Sequence, residues 1–472
     1  MAIYFTLGDV YTQVNAPAKI LAKIRSICRA RPEGFQFMPK YRSGSWDGHI
    51  SLMHSLRYMP TGMLPIIVET LEADGMKCVY DASQVTRILP IEDPISSCLY
   101  GITLRDYQVK AVESLLKHQR GIAKMATNAG KTAVFAALIM QLECRDAIVV
   151  VQSKDLLYQT QKRLAEYLDR SVGLVGDSHR DDDDICVATI QTLMSLRKRM
   201  HSSKEFSDSL SGNQILVADE CHHISHNQTF DVLMDVPGWH RYGMSGTPLD
   251  RGALNDLKLI ACTGPVVTEI TNRDLIQAEW SATPIVHMVD YKSTCGDQWD
   301  SDYMEAYNAC IVENDGRNQA VVDLAKSLVD SGKSSLIIVT RIAHGKELFG
   351  MMDVSVPTMF VNGSSAMDVR QMALSRLDSM SCAVIATPIF DEGVDIPALD
   401  AVILACGGMS HIKLLQRIGR GLRSKSDGDN VMHVYDMLDD GNKYLLKHVD
   451  NRLDVYEAEG FQVVYDNIKE GV

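Results

Sequence analysis

Residues 121–142 read GIAKMATNAGKTAVFAALIMQL. An apolar strand-like run, GIAKM, breaks at Asn128-Ala129-Gly130-Lys131-Thr132 and restarts as a helical stretch. A turn between a strand and a helix gathers backbone N–H groups at the positive end of the helix dipole, which suits a phosphate. Residues Thr127, Asn128, Ala129, Gly130, Lys131 and Thr132 would form that cradle for ATP. Lys131 would reach the β- and γ-phosphates, and the Thr132 hydroxyl would serve Mg²⁺. The strict loop pattern wants glycine where Met125 stands, and Asn128 occupies a position where a second glycine is common. Taken alone, the stretch also fits a tight turn, so the neighbouring residues decide.

Downstream, short apolar runs alternate with helical segments: AIVVVQ, ICVAT, QILVADE and RYGMS. That pattern is the mark of a parallel α/β layer. At the end of QILVADE, 88 residues beyond Lys131, stand Asp219 and Glu220. Asp219 would hold the Mg²⁺ shell through water, and Glu220 would orient or deprotonate the attacking water. Ser245 and Thr247, at the next strand end, carry hydroxyls able to pass hydrogen bonds from the acidic site to a neighbouring surface. Upstream, LRDYQ precedes a helix and puts Arg105 and Gln108 near the loop. Gln108 lies 23 residues before Lys131, where its amide could read an adenine edge by donating and accepting at once.

A second series, SSLIIVT, TMFVNG, CAVIAT, AVILAC and VMHVYDM, gives a second α/β lobe after a connecting stretch near 264–292 and a helical region around 303–330. Thr387 would meet a DNA backbone phosphate. Gly393 and Asp395 belong to the nucleotide site, where Asp395 would accept from a ribose. Gln416, Arg420 and Arg423, at spacings of four and three, share one helix face. Arginines presented from another lobe fit charge stabilisation of a transferring phosphoryl group.

The chain has 472 residues, 46% hydrophobic and 23% charged, which suits a globular protein of about three domains. Met1–Val14 lacks the basic n-region of a secretory leader, no apolar run reaches a membrane span, and the expected partners include no membrane. A cytoplasmic location is expected. Eleven cysteines are scattered without a Cys-x-x-Cys pair, and His222-His223 lacks the second half of a metal site. A structural or nucleotide-proximal role suits that histidine pair.

Net charge is −13, yet residues 1–98 hold ten Lys and Arg against nine Asp and Glu. Between Lys19 and Arg57 eight basic residues face two acidic ones, so the one basic surface of an acidic protein lies near the N-terminus. This segment reads as a small α/β module: strands IYFTL and VYTQV, a helix from about Ala16 to Arg29, strands near GFQFM and HISLM, a helix near Leu64–Asp74 and a strand at MKCVY. Lys19 and Lys23 fall on the polar side of the first helix. Lys40, Arg42, Tyr41 and Trp46 sit in a Gly/Ser-rich connection, where basic groups would grip phosphates and the aromatics would either stack on a base or anchor the core. Residues 88–97, with two prolines, look like a linker.

The ordered series ATNAGKT, VVQSKDLLYQ, VATIQTL, VADECHH, MSGTP, LIIVTR, ATPIFDEGVDIP and QRIGRGLR resembles the helicase superfamily 2 core. The resemblance spans roughly Thr103 to Met437 and implies two tandem RecA-like parallel-sheet lobes driving an ATP-dependent motor on nucleic acid. It implies Gln108 for adenine, Lys131 and Thr132 for phosphates and Mg²⁺, Asp219 and Glu220 for metal and water, Ser245 and Thr247 for coupling, and Arg420 and Arg423 as fingers beside Gln416. GFQFMPKYRSGSWDGHISL followed by a linker and LRDYQ is similar to the UvsW-type recombination helicases of large tailed phages. That likeness implies action on branched, forked or duplex DNA in a bacterial host cytoplasm, unwinding and remodelling junctions. The division expected is a DNA-binding domain (1–98), an ATP-binding lobe (99–283), a connection (284–308) and a second lobe (309–472). A duplex translocase without strand separation, a DNA-annealing protein with a minor motor, and an RNA helicase stay open as alternatives.

Overall fold

A computed structural model describes residues 2–85, 90–91, 93–126, 128–143, 146–181, 183–210, 212–387, 399–408 and 430–466. It divides into two units, residues 1–270 and 271–472.

In the first unit, the N-terminal module is a four-stranded sheet ordered Tyr58–Pro60, Tyr11–Asn15, Ala2–Thr6, Lys77–Asp81. Period-two alternation buries Ile3 and Phe5 completely. Pro17 caps the helix Ala18–Ile27, whose Ile20 and Ile24 are buried, and a second helix spans Leu64–Ala73. The strand expected at GFQFM does not form. Gly34, at φ 69°, turns the chain into a 3-10 turn, Phe35–Phe37, and Pro39 opens a short helix, Pro39–Arg42. Proline cannot donate to a sheet ladder but suits the first turn of a helix. Of HISLM only Ile50–Ser51 is extended, paired with Arg29–Ala30.

An eight-stranded sheet follows, ordered His179–Arg180, Gly173–Gly176, Ile185–Thr189, Ala147–Val151, Ile215–Asp219, His240–Ser245, Arg120–Met125, Val266–Ile270. All pairs are parallel except the terminal hairpin. Parallel strands covered on both faces need apolar residues throughout, and Ile185–Thr189 is buried at every position.

The N-terminal module shares one core with this sheet: Ile3, Phe5, Ile67 and Leu71 belong to the same cluster as Leu254, Leu259, Ala261 and Cys262. A Cβ on Gly62 would lie 2.2 Å from the Ile260 carbonyl oxygen, so glycine is what lets the two backbones meet. Buried Arg120 donates to the carbonyls of Asp9 at 2.8 Å and Trp239 at 2.7 Å, its guanidinium 4.8 Å from the Trp239 ring. The segment read as a linker is also tied down, with Ile91 N–H donating to Gln141 O and Leu104 N–H to Ser96 O, both at 2.8 Å.

The second unit holds a seven-stranded sheet ordered Thr358–Val361, Ala383–Ala386, Ser335–Ile338, Ala401–Leu404, Val431–Met437, Thr283–Val289, Gln462–Asp466, all in parallel pairs. Alternate residues feed two cores, Leu336 and Ile338 on one face, Ile337 and Val339 on the other. Thr283–Val289 corrects the expected division, because this strand, which straddles the boundary placed at 283 and 284, is flanked by two partners of the second sheet. Pro284, disfavoured inside strands, conceals it in the sequence.

Two buried arginine–aspartate pairs brace this unit. Arg317 Nε donates to Asp439 Oδ1 at 2.7 Å, and Arg452 Nε to Asp436 Oδ2 at 2.7 Å. Near the first pair, fully buried His344 meets Asn318 Oδ1 through Nε2 at 2.9 Å. Burial, with Arg317 and Arg341 nearby, pushes its pKa down to about 3. The unfolded imidazole titrates near ~6.5. The neutral ring therefore contributes stability that is complete above pH ~6.5 and lost as pH falls toward 3. Across that window we expect wild type to lose about 1.4 kcal/mol per pH unit through this group. His344→Leu should be less stable at neutral pH yet flatter in acid, read by hydrogen exchange of Ile342–Met351 against pH.

Candidate active site

The carboxyl ends of three adjacent strands lie level: Asp219 pairs with Met244, and Ser245 with Lys124. In open α/β sheets ligands bind beyond such ends. After Arg120–Met125 the loop turns with Asn128 at φ 71° and Gly130 at φ 76°, and Gly130 caps the helix Lys131–Gln141. Left-handed positions of this kind turn backbone N–H groups into an anion-binding concavity. A Cβ on Gly130 would lie 2.3 Å from Gln108 Nε2. Gln108, only 6% exposed, donates through Nε2 to Ala129 O at 3.0 Å and accepts from Arg105 N–H at 2.9 Å. Arg105 and Gln108 thus tie the helix Asp106–His118 to the phosphate loop.

Lys131 Nζ donates to Glu220 Oε1 at 2.8 Å, the two side chains being 15% and 16% exposed. Glu220 adopts φ 46°, ψ 51°, a left-handed conformation that costs a non-glycine residue about 1–3 kcal/mol. Its N–H donates to Asp219 Oδ1 at 2.9 Å, and its Oε2 lies 3.4 Å from both His222 Nδ1 and Ser245 Oγ. His222 Nδ1 and Ser245 Oγ are 3.0 Å apart, and Thr247 N–H donates to Ser245 Oγ at 3.2 Å. A continuous polar chain therefore runs from Lys131 through Glu220 and Ser245 to Thr247.

Burial opposes ionisation of Glu220, but the Lys131 ammonium and the His222 hydrogen bond override it, holding the carboxyl well below the usual carboxylate range. Burial lowers the His222 pKa against the pull of Glu220, which favours the neutral ring. Ser245 and His222, both buried, form the wall of this site.

The residues fit ATP with Mg²⁺. The loop offers a helix N-terminus and two left-handed turns, and the ammonium of Lys131 is countered by a carboxylate. Mg²⁺ on a nucleotide takes few protein ligands, all hard oxygens, and the side-chain oxygens of Thr132 and Asp219 are of that chemical kind. Among the described residues no cluster of three or more His, Cys, Asp or Glu could hold a metal by itself.

Thr127, Gly393, Asp395, Gln416, Arg420 and Arg423 lie outside the described residues. Thr387 is buried at the end of Ala383–Ala386. In the N-terminal module Lys19, Lys40 and Arg42 are exposed, whereas Lys23 is ion-paired with Asp74. Trp46 is half-buried, its indole N–H donating to His49 O at 2.8 Å. The sequence reading gave no role to two capped helix N-termini at the same sheet edge: Ser153 accepts from Leu156 N–H, and Thr189 from Thr192 N–H. An open groove of about 380 Å³ beside them is lined by His179, Arg180, Gln191, Thr192 and Arg199. A Ser or Thr immediately after an apolar strand was the available signal.

Three family profiles match the chain. They are type III restriction enzyme, res subunit, over residues 101–250; DNA helicase UvsW, N-terminal, over 3–81; and helicase conserved C-terminal domain over 317–425. The two parallel sheets described above are the two RecA-like lobes of the superfamily 2 helicases, and the chain is a DNA-dependent ATPase and helicase of that class. Within the class it is UvsW-like. The ATP-dependent DNA helicase uvsW of Enterobacteria phage T4 is 22% identical, with 97% of each chain covered. The crystal structure of T4 UvsW is 21% identical over 99% of each chain, with a TM-score of 0.48. A fragment of a putative HsdR subunit of a type I restriction enzyme from Vibrio vulnificus YJ016 shares the fold at 18% identity and a TM-score of 0.56, covering 77% of this chain and 68% of that one.

Proposed function

We propose that this helicase remodels branched DNA, driving Holliday junctions, regressing forks and unwinding R- or D-loops in phage replication, recombination and repair. The observation that carries the reading is the shared core of the N-terminal module and the ATP-binding lobe. A junction arm held by that module would move with the lobe that binds nucleotide, so lobe closure would pull one arm against another. The site of action would be the cytoplasm of a bacterial host. Among the described residues no helix is long and apolar enough to cross a membrane.

In this reading Lys131 turns from Glu220 to the β- and γ-phosphates when nucleotide enters. Glu220, still held through Oε2 by His222 and Ser245 and with a raised proton affinity once Lys131 has left it, then accepts the proton of the attacking water. Mg²⁺, when bound with ATP, neutralises phosphate charge, and Thr132 and Asp219 would hold it. Ser245 and Thr247 relay the change in Glu220 to the lobe surface; Arg420 and Arg423, together with Gln416, would serve as fingers, and Gly393 and Asp395 would bind nucleotide. Thr387 in the second lobe, and independently the capped helices at Ser153 and Thr189 in the first, would contact DNA through its phosphates. Lys19, Lys40 and Arg42 would hold the second arm.

The restriction-subunit profile favours one second reading, a translocase that moves along duplex without separating strands. Strand separation on four-way and forked substrates, beside triplex displacement on blunt duplex, distinguishes the two. Activity on the branched substrates is expected. Activity confined to triplex displacement would replace our reading with the second one.

A further inference from the structure

The basic connection of the N-terminal module contains four aromatic residues from Phe35 to Trp46, and the fold sorts them into two groups. Phe35 and Tyr41 meet edge to face at 4.8 Å, with the Arg31 guanidinium 4.6 Å from the Phe35 ring centre. Gly48 closes over both rings: at φ 83°, a Cβ there would lie 2.8 Å from Phe35 and 3.2 Å from Tyr41. Trp46 spends its indole N–H on His49 O. These three side chains are internal anchors.

Phe37 is different. It is 66% exposed at the end of the 3-10 turn, and Met38 beside it is also exposed. The Arg42 guanidinium stands 5.7 Å from the Phe37 ring centre and is steered there by a hydrogen bond to Gln36 O at 3.4 Å. The ammonium-bearing Lys40 is exposed, and its carbonyl accepts the Ser43 and Ser45 hydroxyls, which fixes the loop behind the ring. An exposed phenyl ring with the Arg42 guanidinium beside it, and with exposed Lys40 three residues on, is complementary to a base and its neighbouring phosphates. Bases inside continuous duplex are already stacked. The bases whose faces are open are those at ends, nicks and branch points.

We infer that Phe37 is a stacking platform for an exposed base at a DNA branch point or end, with Arg42 and Lys40 contacting the flanking phosphates. The inference rests on the branched-DNA reading and names the group that would recognise the branch. It also moves the aromatic role from Trp46 to Phe37.

The test uses the full chain without nucleotide and compares affinity for a forked DNA with affinity for a closed circular duplex of the same length. Base stacking on an aromatic side chain corresponds to about 5- to 150-fold in affinity. Phe37→Leu should lower the ratio of fork to circle affinity by that factor, and Phe37→Trp should restore it. At this exposed position neither substitution alters the core, and circular dichroism checks that the fold is kept. A wild-type ratio in Phe37→Leu, with DNA-stimulated ATP hydrolysis intact, would overturn the stacking role alone. Absence of a fork preference in the wild type would overturn both it and the branched-DNA reading.

Discussion

Lys131→Ala is expected to abolish ATP hydrolysis, lowering turnover by about 10³-fold or more. Removing one preorganised donor from a developing oxyanion typically costs 10²–10³, and in the proposed mechanism Lys131 would supply a full positive charge at the phosphates. A loss of 10³ corresponds to about 4 kcal/mol of transition-state stabilisation. A second effect follows from the structure. Lys131 is the salt-bridge partner of Glu220 at 2.8 Å, and that carboxyl is nearly buried. Without the ammonium the burial penalty remains while its main offset is gone, so the Glu220 pKa should rise. In the wild type the depressed pKa gives stability that is present above the unfolded value near ~4.3 and lost as pH falls through the folded value. The variant should lose that contribution and also fail to retain a fluorescent nucleotide analogue. Hydrolysis within tenfold of the wild type would remove Lys131 from the site.

Glu220→Gln is expected to give the opposite binding result with a similar loss of turnover. The amide keeps the size and shape of the carboxylate, and His222 and Ser245 still have a hydrogen-bonding partner at 3.4 Å. What disappears is the proposed base, a contribution of about 10²–10⁴-fold. The competing anion that holds Lys131 in the absence of nucleotide disappears as well, so nucleotide should bind as tightly as in wild type or more tightly. Phosphate release measured beside nucleotide affinity separates the two variants. Weak binding in both would mean that Glu220 supports the loop and takes no part in the reaction.

Much of the two-lobe fold was legible because parallel strands buried on both faces must be almost wholly apolar. AIVVV, ICVAT, ILVAD and AVIL stand out for that reason and appear as strands. Gly173–Gly176 and Thr283–Val289 do not stand out: the first begins and ends in glycine, and the second carries Pro284. Phe35–Phe37 misled in the other direction, since FQF looks extended until Gly34 and Pro39 bend the chain around it.

The candidate site was partly legible. Lys131, Asp219 and Glu220 are read from their position after apolar strands, and the structure brings Lys131 and Glu220 into contact. The bond from Gln108 to Ala129 could not be read, because it depends on a helix packing across the loop. The union of the N-terminal module with the ATP-binding lobe was equally hidden. It rests on Gly62, Asp9 and Arg120, whose contacts span more than a hundred residues of sequence. Removing residues 1–98 would expose Leu254, Leu259 and Ala261, so truncation is a poor probe of that module and point substitutions are better ones.

The central claim is that chemistry at Lys131 and Glu220 drives the remodelling of branched DNA. It is tested most directly by the rate at which the full chain resolves a four-way junction with saturating ATP, compared with Glu220→Gln under the same conditions. The account predicts efficient resolution by the wild type and, for the variant, junction binding with resolution slowed by about 10²-fold or more. Equal resolution by the two proteins, or no resolution by the wild type while it hydrolyses ATP on the same junction, would contradict it.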